Sequence, residues 1–488
     1  MDVYDQLLGW QRLDRRMLLV QPVREVGRFL PALIGVALFG RSAEGGGLWG
    51  IFGVVVPVAL GLMRYATTGY RITESRVEVR HGLVSKRVVA APLDRVRTVD
   101  LTASPIHRLL GLVTLRIGTG QAGDKNEERL ALDGLAGPAA AELRTRLLQG
   151  SVSAAEPDGS PVADEQPEVA LRLDLGWVRF APLTTSGIVI AGAALGVIAQ
   201  SFRSLEILPS VDLDRAERLG TFALIVLVVL GILVTFCVLA VVGYLLTNFG
   251  FVLTRRRDDD TWHLRRGLLT TRETTLDHAR ISGVSIGEPL GLRLAHGGRL
   301  SAIVTGLSKK QQGSAVLVPP APRAEVDRVA VAVLGISGPV ADPLVRHHDR
   351  ARRRRWTRAL LGAGLVSVAL LLLAYAASWW LVALVPVALL VGAGLAHDRW
   401  RALGHALVDG YLVSRSGSLN RRREVLHTSS VIGWTFTSTY PQRRAGLVDL
   451  TATTAGGRQR VTVLDVEEGL SCELANEATP GLLEPFLA

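Results

Sequence analysis

The sequence predicts a multi-pass α-helical membrane protein carrying three polar modules, each a β-sheet or partly open barrel closed by a C-terminal helix. Three observations lead there. Long apolar stretches come in pairs. Each pair is followed by a polar segment that opens on an aromatic and a short β-like phrase: Tyr70-Arg71-Ile72-Thr73, Phe251-Val252-Leu253-Thr254 and Tyr411-Leu412-Val413-Ser414. Arginines crowd the same side of every pair. A repeat at this scale is an architectural signal.

Composition agrees. The chain has 488 residues, 48% hydrophobic and 20% charged, with a mean hydropathy of +0.30. Length alone suggests about three domains. The net charge of +11 raises nucleic acid as a partner for a soluble protein. Here the arginines flank apolar stretches, so the membrane surface is the better explanation, and no nucleic-acid partner is expected. Cys237 and Cys472 are the only cysteines, which excludes a disulfide framework or a cysteine-built metal site. Residues 1–28 are polar and mixed, with no sign of a secretory signal peptide.

Crossing a bilayer takes roughly 20 largely uncharged helical residues. Six stretches are candidates: 29–40, 48–63, 183–199, 219–247, 359–377 and 379–396. The first is short, with Pro31 at a position suited to an early helical turn. The last two must form a tight hairpin, with Trp379 and Trp380 at its tip, where an interfacial aromatic belt would place them. The hairpins fall in 1–66, 171–248 and 357–397, and the modules in 67–150, 249–335 and 398–488. Residues 151–170 form a linker rich in Ser, Ala, Pro, Asp and Glu that reads as disordered, and 336–356 form a second linker that carries a basic cluster. Arg24 and Arg28 precede the first stretch, Arg255–Arg257 follow the fourth, Arg352–Arg355 precede the fifth, and Arg399 and Arg401 follow the sixth. The opposite loops are poorer in positive charge. The positive-inside rule then puts both termini and all three modules in the cytoplasm.

The first module reads as strands at 70–73, 76–80 and 85–91, with His81-Gly82 as a hairpin turn. A bend or bulge is expected in 93–101, a connection in 104–111 and a clean strand at 112–118. Helical periodicity at 138–148 puts Ala140, Leu143 and Leu147 on one side. The third module repeats this at a constant offset: Gly82 to Gly417 and Gly111 to Gly446 are both 335 residues. In the second, Leu264-Arg265-Arg266-Gly267 answers Val79-Arg80-His81-Gly82, and His278-Ala279-Arg280-Ile281 answers Leu93-Asp94-Arg95-Val96.

This succession of helix pair, aromatic phrase, Gly-Leu hairpin, Pro-Leu-x-Arg-Val phrase and Leu-Gly-Leu strand resembles the second bacterial type of pleckstrin-homology-like (PH-like) domain. Multi-copy versions with paired helices before each domain resemble the YdbT-like membrane proteins. The likeness is best over 70–115, where Pro92, Leu93, Arg95, Val96, Leu109, Gly111 and Leu112 are in place. It is partial over 251–294, where Arg280-Ile281 remain, and degraded over 411–450, where Ser430 stands in the Arg95 position. The resemblance implies three cytoplasmic PH-like domains of about seven strands and a helix, in a bacterial cell (inner) membrane. It implies no established activity.

No catalytic constellation stands out. The histidines are scattered, with only His347-His348 adjacent, whereas a metal site needs three or four converging ligands. Glycine-rich stretches lack the Lys-Ser/Thr ending of a phosphate loop. No cofactor or metal is expected. The candidates are basic: Arg352, Arg353, Arg354 and Arg355 before a membrane helix, with Arg87, Arg95 and Arg97 in the first module and Arg265, Arg266 and Arg272 in the second. Each such charge attracts an anionic head group with about 1 kcal/mol near the surface, and the same charges serve orientation. The reading is a non-enzymatic membrane scaffold whose partners are the lipid bilayer, anionic head groups, and a membrane protein such as a paired single-module PH-like protein. Two alternatives stand. An accessory subunit of a transporter or export system needs polar residues in the spans, which offer little beyond Thr184, Thr185, Ser186, Thr235 and Ser367. A membrane-surface enzyme needs acid or histidine pairs that converge only in the fold.

Overall fold

The computed structural model describes residues 11–20, 59, 62, 63, 65, 67–73, 76–81, 87–92, 98–118, 131–149, 168–184, 218–258, 260–305, 315–376 and 379–482. The apolar stretch 29–40, positions 185–199 of the stretch 183–199, most of 48–63, positions 151–167 of the linker and positions 93–97 of the bend predicted in 93–101 lie outside them. The chain forms two compact units. The first comprises Met1–Val169, Gly250–Leu276 and Gly306–Gln311, and the second Ala170–Phe249, Asp277–Thr305 and Gln312–Ala488.

In the first unit, β1 (Gln11–Arg12), β2 (Gly69–Ile72), β3 (Arg76–His81) and β4 (Arg87–Pro92) form an antiparallel sheet in that order. After it come β5 (Thr98–Ala103), the short helix α1 (Pro105–Leu109), β6 (Leu112–Gly118), β7 (Ala131–Ala136) and α2 (Gly137–Gln149). Successive strand side chains point to opposite faces, and the inward set makes the core. Val77 and Val79 of β3 pack with Val99, Leu101, Leu115, Ile117, Leu132 and Leu135 of β5–β7, and α2 adds Ala140 and Leu143. The helical face predicted from periodicity is therefore the packed one; the side chain of Leu147 lies outside the described residues. Full burial of each large aliphatic contributes about 1.5–3 kcal/mol. Pro105 opens α1, where its missing N–H costs nothing.

Strand β8 (Glu168–Arg172) and the long helix α3 (Arg218–Asn248) precede the second module, whose first strands are β9 (Val252–Arg256), β10 (Thr261–Arg266) and β11 (Thr271–Asp277). These do not form a sheet of their own. β11 pairs with β5 of the first module, giving the order β7-β6-β5-β11-β10-β9-β8.

The second unit repeats the device. β12 (Ile281–Pro289), α4 (Leu290–Leu294), β13 (Gly297–Val304), β14 (Val316–Pro322) and α5 (Arg323–Leu334) complete the second module. The small helix α6 (Gly338–Ala341) leads to α7 (Asp349–Ala376) and α8 (Leu384–Ala402), and the third module opens with β15 (Gly404–Val408), β16 (Tyr411–Ser416) and β17 (Asn420–His427). Strand β17 pairs with β12, giving the order β14-β13-β12-β17-β16-β15. The last strands, β18 (Gly433–Thr437), β19 (Leu447–Thr453) and β20 (Arg460–Glu467), form a separate sheet, with α9 (Tyr440–Ala445) before β19 and α10 (Glu468–Ala478) after β20. Its core joins Leu412 and Leu426 to Leu450, Ala452, Val461, Val463, Val466, Leu474 and Ala475.

The two joints have one register. Val99 lies opposite Thr275, and Val284 opposite Val425. Val284 follows Val99 by 185 residues and Val425 follows Thr275 by 150, the same steps that carry Gly111 to His296 and Gly267 to Gly417.

Two expectations are corrected. Among the described residues the sheets are open and no barrel closes, because the edge that would close a module pairs instead with a neighbouring module. The phrase at Tyr411 is β16, second from the edge of its sheet between β15 and β17, and the counterpart of β2 is β15, preceding it. The 335-residue offset already places Gly69 on Gly404; the aromatic cue misled because aromatics favour any strand. The hairpin glycines hold: at Gly267 (φ +108°) an added Cβ would lie 2.0 Å from the Thr270 carbonyl oxygen, and at Gly417 (φ +100°) 2.3 Å from that of Asn420.

Among the described residues, three helices are long and apolar enough to cross a membrane: Leu230–Asn248, Asp349–Ala376 and Leu381–Ala402. They overlap the predicted fourth, fifth and sixth stretches, covering 230–247, 359–376 and 381–396 of them. Trp379 is 84% exposed at the hairpin tip. The basic cluster belongs to the first turns of α7.

Candidate functional site

The richest polar constellation lies where the third hairpin meets the third module, and a β-bulge builds it. Between the pairs Val448–Val466 and Leu450–Val463, strand β19 supplies one residue and β20 two. The extra residue bends its strand and re-aims a side chain. That side chain is Asp465, whose backbone takes the left-handed conformation (φ +57°) that aspartate tolerates better than most residues. Its carboxylate is fully buried.

Two arginines of α7 close on it. Arg354 Nη1 contacts Oδ1, and Arg355 Nη2 lies 2.5 Å from Oδ2. The second contact is an ion pair without hydrogen-bond alignment, so Oδ2 gains charge and no directed donor. Gln442 of α9 donates from Nε2 to Asp465 Oδ1 (3.0 Å) and Asp449 Oδ1 (2.8 Å), and the Asp465 N–H donates to Asp449 Oδ1 at 2.8 Å. The Gln442 carbonyl oxygen accepts from the Thr439 backbone N–H at 2.9 Å, completing a capping box.

A histidine pair extends the network. His347 Nδ1 lies 3.1 Å from the Asp465 carbonyl oxygen, and His347 Nε2 lies 3.0 Å from His405 Nδ1. A carbonyl only accepts, so His347 Nδ1 carries a proton. Its neutral Nε2 then accepts from His405 Nδ1–H. Burial lowers the pKa of His347, with Arg355 adding to the effect and Asp465 opposing it. Burial, then the charge of His347, lowers His405 to about 4. Both shifts favour the neutral ring.

The other hairpin helix is held by a second carboxylate. Asp398, in the last turn of α8, pairs with Arg421 of β17 (2.8 Å) and Arg293 of α4 (3.0 Å), and accepts from Ser418 Oγ at 2.9 Å. Arg415 Nε donates to the Ala402 carbonyl oxygen at 3.0 Å, and its Nη2 to that of Arg401 at 3.3 Å. A cation is thereby placed at the negative end of the helix dipole. Arg352 stacks over the Trp400 ring, 4.9 Å from its centroid, and ties α7 to α8.

A third group gathers on the six-stranded sheet. Gly287 lies opposite both Arg299 and Arg422, so no side chain separates the two arginines. Burial lowers the pKa of each, and the charge of Arg458 lowers it further. Glu424 lies on the same face of β17 as Arg422; burial raises its pKa against the pull of Arg422, Arg458 and Arg460. An excess of positive charge around a single carboxylate suits an anionic group.

The predicted basic residues divide. Arg352 and Arg353 are exposed, while Arg354 and Arg355 turn inward onto Asp465. Arg265 is exposed, 3.5 Å from Glu273. Arg266 is brought down to about 10 by burial and then by Arg272, with Asp100 opposing. Arg272 lies opposite Thr102 in the first joint. Arg87 is in β4 but its side chain lies outside the described residues, as do Arg95 and Arg97 entirely. Sequence reasoning missed Asp465, Asp398, Gln442 and the Arg299–Arg422 pair. The run Arg421-Arg422-Arg423 was the one available signal, and strand alternation would have split it between faces. Among the described residues, no group of three or more His, Cys, Asp or Glu is placed to hold a metal.

The profile of the bacterial PH domain matches three regions, residues 25–151, 193–334 and 360–474. Each takes in one module and apolar sequence before it. No curated protein and no solved structure matches the chain. With three matched regions covering more than half of its length, the chain belongs to the bacterial PH domain family.

Proposed function

We propose that this protein is a non-enzymatic integral scaffold of the bacterial inner membrane, holding three PH-like modules against the cytoplasmic face in the manner of the YdbT-like proteins. PH-like domains generally serve as lipid- or membrane-binding modules, which sets the class of surface they meet. The observation that carries the reading is the double clamp on the third hairpin. Arg354 and Arg355 reach from α7 to Asp465, and Asp398 reaches from α8 to Arg421 and Arg293. A flexible tether needs no such contacts. Charge pairs at the foot of a span fix how a module is presented to the bilayer. The exposed Arg265, Arg352 and Arg353, with Arg299, Arg422 and Arg458, then supply anionic head-group contacts worth about 1 kcal/mol per charge near the surface.

Accessibility labelling tests the orientation. Single cysteines at Ala155 and Ala455, in a chain with Cys237 and Cys472 replaced, should react only after the membrane is permeabilised, and one at Gly46 should react from outside. External labelling of Ala455→Cys would sink the cytoplasmic assignment. Hydrogen exchange of the full chain in nanodiscs tests the lipid contact. Anionic lipid should slow exchange in β10 and β17 relative to neutral lipid, and the difference should vanish at high salt. Equal exchange in both lipids removes the head-group role.

A further inference from the structure

Among the described residues, β4 and β18 each end a sheet, and they are the two kinds of edge that meet twice within the chain. The outer edge of β5 is covered by β11, and that of β12 by β17. The counterpart in the third module is β18, which ends its sheet with no strand beyond it among the described residues. The counterpart of β11 and β17 in the first module is β4, which likewise ends its sheet. We propose that β4 of a second copy of this chain pairs with β18, extending the module-to-module joint from one molecule to the next.

The register follows from the two joints already made. Applying the same offsets sets Trp434 opposite Ala90, Phe436 opposite Val88 and Gly433 opposite Ala91. Phe436 and Val88 are both exposed, at 39% and 53%, whereas Leu101 and Ile286, the counterparts of Phe436 in the covered strands, are at 8% and 0%. The joint would set the two exposed apolar side chains directly across from each other.

Gly433 gives an independent sign. Its counterpart Gly283 has to be glycine, because an added Cβ would lie 2.0 Å from the Val425 carbonyl oxygen of the covering strand. An added Cβ at Gly433 would meet nothing within 4 Å. A glycine suited to a covering strand stands where the structure has none; the first joint carries Thr98 there, and its pairing ends at Val99. Arg443 points the same way. Its counterpart Arg108 donates to the Leu268 carbonyl oxygen (2.7 Å) in the hairpin turn of the next module, and Arg293 lies 3.5 Å from that of Ser418 in the equivalent turn. Arg443 is exposed, placed to donate across the same kind of joint.

An uncovered edge of this kind is a template for strand addition. Joining unlike edges is heterologous, so it builds a ring if the rotation closes and a filament if it does not. The inference is independent of the lipid reading.

The test uses the full chain in detergent, with Cys237→Ala and Cys472→Ser. A tagged Phe436→Cys population is mixed with an untagged Val88→Cys population and mildly oxidised. A cross-linked pair should form in the mixture and in neither population alone. No cross-link in the mixture, or equal cross-linking within a single population, overturns the proposal. Light scattering gives a second reading that needs no thiols. The wild-type chain should run as multimers, and Phe436→Lys or Val88→Lys, both at exposed positions, should each reduce it to one chain per particle. A wild-type particle of one chain at tens of micromolar overturns self-assembly, and would leave these edges to a different PH-like protein.

Discussion

Arg354 of the hairpin helix α7 and Asp465 of the bulge in β20 form a charge pair at the foot of a helix long and apolar enough to cross a membrane, with 14% of the arginine side chain exposed and none of the aspartate. The bulge, the left-handed backbone and the capping box around Gln442 all serve to bring that carboxylate to the helix. Arg355 makes the arrangement a triad. A lone arginine at a span end sets topology from any side-chain conformation, but two arginines turned inward onto one buried acid specify a single geometry.

Asp465→Asn removes the charge and keeps a residue that tolerates positive φ, so it isolates electrostatics from backbone strain. Breaking a buried pair by removing one partner costs about 3–5 kcal/mol, because the remaining charge is left uncompensated. The full-length variant in detergent should lose that order of stability by chemical denaturation, with Trp434 among the fluorescence reporters. Adding Arg354→Met and Arg355→Met should recover part of the loss. A loss below about 0.5 kcal/mol for Asp465→Asn would show that the triad does not hold the module.

The histidine pair makes the same region sensitive to acid. The folded pKa of His405, about 4, lies below its ordinary 6.5, so between those values the unfolded chain binds a proton that the folded chain does not. Stability should therefore be full above pH 6.5, fall as the pH drops towards 4, and level off below it. The span corresponds to roughly 3 kcal/mol at 1.36 kcal/mol per pH unit. His405→Asn keeps a donor towards His347 without a titrating ring and should flatten the slope between pH 6.5 and 4. An unchanged slope would assign the acid response to other groups.

Much of the architecture was legible in the sequence because periodicity and glycine placement are local. The offset of 335 located equivalent strands correctly even where the aromatic phrase misplaced one. Which strand pairs with which was not legible. Nothing in residues 98–103 says whether their free edge meets β4 or β11, since both solutions bury Val99 and Leu101 equally. The clamps were hidden for a related reason. Asp465 and Arg354 are 111 residues apart and meet only because a one-residue bulge reverses the side on which Asp465 emerges. Arg352–Arg355 read as one patch in sequence, but helical spacing divides them between solvent and protein.

Asp398 offers a comparison with Asp465, since its side chain keeps 27% exposure. Solvent screens such pairs, so the cost of Asp398→Ala should be smaller, about 1–2 kcal/mol. Its effect should be geometric as well. Arg293 connects the second module to α8, and Arg421 connects the third. Spin labels at the exposed Val391 and Leu419 should give a narrow distance distribution in wild type and a broadened one in Asp398→Ala. Arg293→Ala should broaden it less, because Arg421 and Ser418 still hold the carboxylate. Equal, narrow distributions in all three proteins would exclude Asp398 as a positioning residue.

The last prediction concerns how the hairpin itself closes. At Gly392 of α8 an added Cβ would lie 2.5 Å from the Cβ of Ala363 in α7, while at Gly394, two residues on, it would meet nothing within 4 Å. Small residues at such a crossing let two helices in lipid approach closely enough for van der Waals contact to hold them, where no hydrophobic force separates lipid from side chain. Gly392→Leu should push the helices apart, costing about 1–3 kcal/mol as overpacking does, and should loosen the stacking of Arg352 over Trp400 below it. Gly394→Leu adds the same bulk to the open face and should leave stability within about 0.5 kcal/mol of wild type. Thermal unfolding of both variants in the same detergent, with Trp400 fluorescence as the local reporter, separates the two. Equal losses at both positions would mean that the hairpin is held by the clamps at its foot alone and that the close crossing contributes nothing.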